Sequence, residues 1–194
     1  MVPISSHRSF VFVGGNTAVD FSNTIKMVDG SKTDLLGSSY LLYDWTQKLK
    51  IDVPLESIEA NFDHFITLRN LIHQCFQDFA YKREIDPNHL QAVNDFIRQF
   101  GIYPQIRPEP TNFPSLSYES KQLNSPLLHH IVQSFFEVIS QKKILDRLKP
   151  CENDDCVLLF LDKSKNKTRR WCSMTICGNK IKASRFYYRN RHPL

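Results

Sequence analysis

Long apolar runs are missing from this sequence of 194 residues. No stretch of about 18 consecutive apolar residues occurs, which excludes a membrane-spanning helix. The N-terminal segment lacks the apolar core of a secretion signal, so we expect a cytoplasmic protein without a membrane partner. Only 6 glycines and 10 prolines are present, which excludes collagen-like and low-complexity classes.

Catalytic motifs are missing as well. The sequence contains no glycine loop for phosphate, no Gly-x-Ser-x-Gly motif and no His-Glu-x-x-His motif. We therefore expect that the protein is not an enzyme. The composition, 41% hydrophobic and 23% charged, is that of a globular chain.

Four of the five cysteines lie in the last 44 residues, as two pairs. Cys151 and Cys156 are separated by four residues, Cys172 and Cys177 also by four, and fifteen residues lie between the pairs. Short-spaced pairs joined by a hairpin-length segment are typical of a structural zinc site, where four thiolates leave no position open for substrate. We therefore predict that these four cysteines hold one structural Zn²⁺.

Other interpretations of this cluster are two disulfides, four unrelated buried thiols, or a redox switch that releases zinc. A cytoplasmic protein rarely keeps disulfides, which favours zinc. The segment between the pairs predicts a β-hairpin, with strands at 156–161 and 168–172, that returns Cys172 beside Cys156. The fifth cysteine, Cys75, lies in a helical pattern and is predicted to be a buried, inert thiol.

Positive charge is concentrated in the same segment as the cysteine pairs. Residues 149–194 carry eleven Lys and Arg against four Asp and Glu, whereas residues 1–148 carry fourteen against sixteen. Such asymmetry indicates that the basic segment binds an anionic partner. Two alternatives are that the cations form an ordinary solvated face, or that they offset the negative charge of a zinc–thiolate site. Residues 179–191 predict a basic helix, and the candidate nucleic-acid contacts are Arg169, Arg170, Lys180, Lys182, Arg185 and Arg189.

The rest of the chain predicts amphipathic helices around one core. Helical spacing covers 39–49, 56–83, 87–100 and a last long helix from Pro126 to Leu148. Residues 10–22 predict a β-hairpin, and the proline-rich stretch 102–120 predicts a loop or a ragged edge hairpin. The fold class is therefore α+β: a mainly α-helical N-terminal domain (1–148) with a small β-hairpin, and a C-terminal zinc-finger domain (149–194) of a β-hairpin and a helix.

The cysteine segment resembles the CGNR zinc finger family over residues 149–191. The resemblance is carried by Cys151-x4-Cys156, Phe160-Leu161-Asp162-Lys163-Ser164-x-Asn166, Arg169-Arg170-Trp171-Cys172-Ser173-Met174 and Cys177-Gly178-Asn179-Lys180-x-Lys182-Ala183. Lys180 stands where the family's naming motif has arginine, so the charge is kept and the bidentate guanidinium fork is lost.

Residues 19–24, Val-Asp-Phe-Ser-Asn-Thr, resemble the opening Leu-Asp-Phe-x-Asn-Thr motif of the ABATE domain, which precedes the finger in that bacterial family. The resemblance implies a stress-responsive transcriptional regulator, with a zinc-dependent DNA-binding finger carried by a sensory or dimerising helical domain. A small-molecule ligand of that domain and a homodimer are further expectations. The alternative is a zinc-stapled module that docks protein or RNA. We expect Asp20 and Asn23 to close a turn rather than to line a pocket.

Overall fold

Helices dominate the N-terminal part of the chain, and small antiparallel hairpins connect them. The computed structural model describes residues 9–110, 114–122 and 125–191, and within them no helix is both long and apolar enough to span a membrane. In chain order the elements are α1 (Thr17–Ser22), β1 (Ile25–Val28), β2 (Ser31–Asp34), α2 (Ser39–Lys48), α3 (Leu55–Glu59), α4 (Phe62–Lys82), α5 (Pro87–Phe100), β3 (Ile102–Arg107), β4 (Ser115–Ser120), α6 (Pro126–Ile139), α7 (Lys142–Leu145), β5 (Leu148–Pro150), β6 (Leu159–Leu161), a single π-helical turn (Met174–Gly178) and α8 (Asn179–Arg191).

The central element is α4, whose buried face packs against α1, α5 and the β5–β6 hairpin. Phe65, Leu68, Ile72 and Phe76 recur at steps of three and four and are fully or almost fully buried, as the helical pattern predicts. The predicted helix 56–83 is interrupted after α3, because the amide of Asn61 donates to the carbonyl of Ser57 at 2.7 Å and a new helix begins beyond it.

The predicted hairpin over residues 10–22 is wrong, because residues 17–22 form α1. The side chain of Asn16 accepts hydrogen bonds from the backbone N–H groups of Ala18 and Val19, at 2.9 and 3.3 Å, and so caps the helix. The hairpin of this region comes later, as β1 and β2. Asp29 and Gly30 form its turn with φ of +49° and +79°, conformations that a tight two-residue turn requires.

An ion pair between the buried Arg69 and the half-exposed Asp34 fastens this hairpin to α4. Arg69 is 1% exposed, and its guanidinium donates to both carboxylate oxygens of Asp34, at 2.9 and 2.6 Å, and to the hydroxyl of Thr24 at 3.2 Å. A two-point contact fixes orientation as well as distance, so the hairpin is held in one position on the helix.

The structure decides two predictions, those for residues 102–120 and for the last long helix. Residues 102–120 contain an edge hairpin, β3 with β4, and Pro104 is tolerated there because an isolated hairpin has unpaired edges. The last long helix is shorter than predicted. It ends at Ile139, and Leu148 instead begins β5.

The predicted hairpin inside the cysteine segment is also wrong in its pairing. β6 pairs antiparallel with β5, with Pro150 opposite Leu159, and residues 168–172 form no strand. The reason is the buried carboxylate of Asp162, which follows β6 and accepts hydrogen bonds from the N–H and hydroxyl of Ser164, the N–H of Arg169 and the ammonium of Lys149. Because of these bonds, residues 162–169 turn around the side chain of Asp162 and do not extend as a strand.

The other edge of β6 is bound by residues from the beginning of the chain. The side-chain amide of Asn23 donates to the carbonyl of Leu159 at 2.8 Å, and its oxygen accepts from the N–H of Leu159 at 2.9 Å. The N–H of Leu161 donates to the carbonyl of Gly14 at 2.8 Å. Asn23 thus supplies the two hydrogen bonds that a neighbouring strand would have supplied.

Apolar residues from each side of this contact pack into the core of the other side. Leu148, Leu159 and Leu161 are buried in the main helical core, while Val11 and Val13 pack against the apolar residues around the cysteines. The helical part therefore needs β5 and β6 to complete its core.

Replacing Asn23 by Ala should lower the free energy of unfolding by about 2–4 kcal/mol, because it leaves both buried backbone groups of Leu159 unpaired. Denaturant unfolding of the full zinc-loaded chain measures this loss. Asn94→Ala, at an exposed position of α5, is the matched control and should change stability by less than about 0.5 kcal/mol. Equal effects of the two variants would contradict the role given to Asn23.

The buried carboxyl group of Asp20 makes the stability of the folded protein depend on pH. Its carboxylate is 7% exposed and accepts the N–H of Gly14 at 2.7 Å, and burial raises the pKa of Asp20 from 3.8 to about 6 despite that bond. Because the folded pKa is the higher one, the group's stabilising contribution is complete below pH 3.8 and is lost as the pH rises through about 6.

Asp20→Asn should remove this pH dependence while keeping an oxygen for Gly14. The stability difference between Asp20→Asn and the wild type should grow by up to about 3 kcal/mol as the pH rises through this window. Denaturant midpoints recorded across the window test it. A difference that stays constant with pH would show that Asp20 does not titrate there.

Candidate metal centre and the basic surface beside it

The first cysteine pair lies in a tight loop built by Asn153. The carbonyl of Asn153 accepts the N–H of Cys156 at 2.8 Å, and its side-chain oxygen accepts the N–H of Asp155 at 3.3 Å. The amide nitrogen of the same side chain donates to Sγ of Cys177 at 3.4 Å. One buried asparagine therefore shapes the loop that presents Cys151 and Cys156 and also contacts the second pair.

Cys177 of the second pair lies in the π-helical turn that leads into α8, and Cys172 lies two residues before that turn. Ser173 caps this turn: its carbonyl accepts the N–H groups of Cys177 and Gly178 at 3.0 Å, and its hydroxyl accepts that of Ile176 at 3.3 Å. A Cβ at Gly178 would lie 2.7 Å from Sδ of Met174, so a larger residue there would have to displace this half-exposed side chain. The turn continues directly into α8, so the position of the helix follows from that of the cysteines.

All four sulfur atoms, those of Cys151, Cys156, Cys172 and Cys177, lie within 4.8 Å of one another. Sγ of Cys172 is 3.8 Å from that of Cys156 and 3.6 Å from that of Cys177. Zn–S bonds of about 2.3 Å in a tetrahedron place sulfur atoms about 3.8 Å apart. The donor set therefore fits one zinc ion, and the separations are far longer than the S–S bond of a disulfide, about 2 Å.

Hydrogen bonds to sulfur support the same conclusion. The N–H of Cys172 donates to Sγ of Cys151 at 3.4 Å, in addition to the bond from Asn153 to Cys177. Donors aimed at sulfur stabilise thiolates and are the usual surroundings of metal ligands. Cys75 lies apart from this site, fully buried in α4, where burial raises the pKa of its thiol to about 12. The prediction of an inert Cys75 agrees with this placement.

Arg169, a predicted nucleic-acid contact, is placed inside the finger by the structure. Its guanidinium lies 4.3 Å from the ring centre of Phe160 and donates to the carbonyls of Trp171 at 2.9 Å, Val13 at 3.3 Å, and Cys172. Its donors are thus directed at protein carbonyls rather than at solvent. Arg169 thus joins the second cysteine pair to the N-terminal segment, and its contact with nucleic acid stays a prediction.

The other candidate contacts lie at the surface where the structure describes them. Arg170 donates to the carboxylate of Glu152 at 2.6 Å, and its guanidinium lies 5.3 Å from the ring centre of Trp171. Lys180 donates to Asp155 at 2.7 Å, and Lys182 is exposed on α8. Arg185 and Arg189 belong to the same helix, as predicted, and their side chains lie outside the described part of the structure.

Sequence reasoning missed several positioning residues. Asn153 and Asp162 organise the two loops, and Asn23 fixes β6, yet each resembles an ordinary polar loop residue in the sequence. The signal for Asp162 is its place directly after the apolar run 157–161, and the signal for Asn153 is its place between two ligands four residues apart. Although burial alone would raise the pKa of Asp162, its hydrogen bonds with Lys149 and Ser164 hold that pKa well below the usual range.

Four thiolates around one structural zinc ion, closed by two short loops and followed by a helix, define a zinc-finger protein. Residues 147–190 match the CGNR zinc finger family, and residues 15–142 match the ABATE family, described as "Putative stress-induced transcription regulator". The chain therefore belongs to the ABATE family and carries a CGNR zinc finger. No curated protein shows significant similarity to the chain.

Cys177→Ser should reduce the zinc content from one ion per chain to near zero after dialysis against a chelator. The free energy of unfolding should fall by more than about 3 kcal/mol, because structural zinc contributes on the order of 10 kcal/mol to the folding of such sites. Elemental analysis and denaturant unfolding measure the two effects. Cys75→Ala is the control and should keep its zinc; equal zinc loss in both variants would contradict the assignment.

Proposed function

We propose that the protein is a zinc-dependent DNA-binding transcriptional regulator whose finger contacts DNA phosphates. The observation that carries the proposal is the position of Arg170, Lys180 and Lys182, which flank the zinc-binding turn at the start of α8 and reach the surface. Zinc fixes the backbone that presents these cations, so phosphate binding depends on the metal. The family description supports regulation of transcription in response to stress.

The helical part is proposed to receive the regulatory input by binding rather than by catalysis. An open, polar cleft of about 720 Å³ lies between β4 and α6, and its walls include Tyr118, Lys121, His129 and Gln133. Its volume suits a small-molecule ligand. A homodimer that reads two half-sites is part of the same proposal, since regulators of duplex DNA commonly pair in this way.

The test is binding of the full-length, zinc-loaded chain to mixed-sequence duplex DNA over a salt series, measured by fluorescence anisotropy. Point variants are preferable to deletion of the finger, because a fragment ending at residue 148 lacks Leu159 and Leu161, which complete the helical core. Cys177→Ser or a chelator should abolish binding, and affinity should fall steeply with salt, as phosphate contacts require.

Lys182→Gln should weaken binding about threefold to tenfold at moderate salt. The slope of the logarithm of the association constant against the logarithm of the salt concentration should become shallower by about 1. Lys143→Gln, an exposed lysine on α7, is the matched control and should bind within about twofold of the wild type. Absent or metal-independent binding would refute the proposal. Preference for RNA hairpins in competition would instead favour the alternative, a zinc-stapled RNA-docking module.

A further inference from the structure

The exposed acidic residues of the finger all lie in one loop. Residues 149–194 contain four acids, and Asp162 is buried and engaged by Lys149 and the backbone of Arg169. The other three, Glu152, Asp154 and Asp155, all lie in the six-residue loop from Cys151 to Cys156. The exposed acidic side chains of the segment thus belong to the first zinc loop, whereas Arg170, Lys180 and Lys182 flank the second.

Two of these three carboxylates bind the cations beside the second zinc loop. Glu152 accepts from Nε of Arg170 at 2.6 Å, and the N–H of Glu152 donates to the carbonyl of Arg170 at 3.0 Å. Asp155 accepts from the ammonium of Lys180 at 2.7 Å. Each pair therefore joins the first loop to a cation two residues before Cys172 or three residues after Cys177.

These ion pairs are exposed, with side-chain accessibilities of 48% and 47% for Arg170 and Glu152, and of 60% and 71% for Lys180 and Asp155. Exposed pairs contribute little to stability, so holding the finger together is a weak reason for them. Their electrostatic effect on a bound polyanion is larger. A cation already paired with a carboxylate releases fewer counterions when it meets a phosphate, and the carboxylate then faces that phosphate.

We infer that Glu152 and Asp155 are intramolecular competitors of DNA phosphate for Arg170 and Lys180, and that they hold down the affinity of the finger. This inference rests on the proposed DNA-binding function. In the unbound protein the carboxylates occupy the two cations. Binding exchanges each carboxylate for a phosphate oxygen, so both the affinity and its salt dependence are set by the first zinc loop.

The experiment measures binding of full-length, zinc-loaded Glu152→Gln, Asp155→Asn and the double variant to one mixed-sequence DNA duplex over a salt series. Each single variant should bind about threefold to tenfold more tightly than the wild type, with a log–log salt slope steeper by about 1. Asp154→Asn is the matched control. It removes the same charge from the same loop, but Asp154 makes no ion pair with a cation among the described residues, so its effect should stay below about twofold.

A double-mutant cycle makes the test specific. In an Arg170→Gln background, Glu152→Gln should no longer strengthen binding, because the cation for which it competes is gone. Zinc content and the unfolding midpoint are recorded for every variant and should remain those of the wild type. Equal gains in Asp154→Asn and Asp155→Asn, or weaker binding by Glu152→Gln, would overturn the inference; the latter result would mean that the carboxylates position the cations for DNA.

Failure of the inference is distinguishable from failure of the proposed function. If the wild type binds DNA in a zinc-dependent way while neither carboxylate variant binds more tightly, only the inference fails. If neither the wild type nor the double variant binds duplex DNA at low salt, the proposed function fails and the inference fails with it. If only the double variant binds, the competition is strong enough to mask binding, and the inference is supported.

Discussion

The convergence of four sulfur atoms within 4.8 Å of one another is the constraint on which the C-terminal part of the structure depends. Thiolates at this distance repel each other strongly, and a divalent cation converts the repulsion into four bonds. The two loops, the π-helical turn and the start of α8 take their positions from those bonds. Because only five residues separate Gly178 from Cys172, the helix has little freedom once the metal is bound.

The zinc site and the helical core are connected by β6 and by the segment that precedes α1. Asn23 and Gly14 hydrogen-bond the free edge of β6, while Arg169 reaches back to the carbonyl of Val13. Apolar contacts follow the same route, because the leucines of the hairpin enter the helical core. Four hydrogen bonds thus connect the finger to the residues around α1, with no linker between the two parts.

Helix ends that are marked by a local cap, such as those of α5, were predicted well from the sequence, whereas the pairing of β5 with β6 was not. Asp86-Pro87 and Gly101 delimit α5 because a cap, a fixed proline φ and a left-handed glycine act within one turn. The spacing within each cysteine pair is a signal of the same local kind, and the need of zinc for four ligands joins the two pairs. The hairpin predicted at 156–172 failed because its strand found a partner in residues 148–150 and its turn was organised by Asp162.

The same distinction explains the candidate contacts. Counting charges indicated a basic surface, but charge alone does not tell a solvated guanidinium from one that packs on a ring. Arg169 and Arg170 are neighbours in the sequence, yet one binds carbonyls inside the finger and the other reaches solvent. The direction of each side chain depends on how the hydrogen bonds of Asp162 turn the backbone, and no periodic pattern in the sequence predicts those bonds.

The completion of the helical core by β5 and β6 has a consequence for folding during synthesis. A chain emerges from the ribosome N-terminus first, so the helices up to α6 are available before the leucines at positions 148, 159 and 161. The core positions of these leucines are empty until then, and the sulfur ligands from the second loop arrive later still. Closure of the core and capture of the metal are thus late events in the synthesis of the chain.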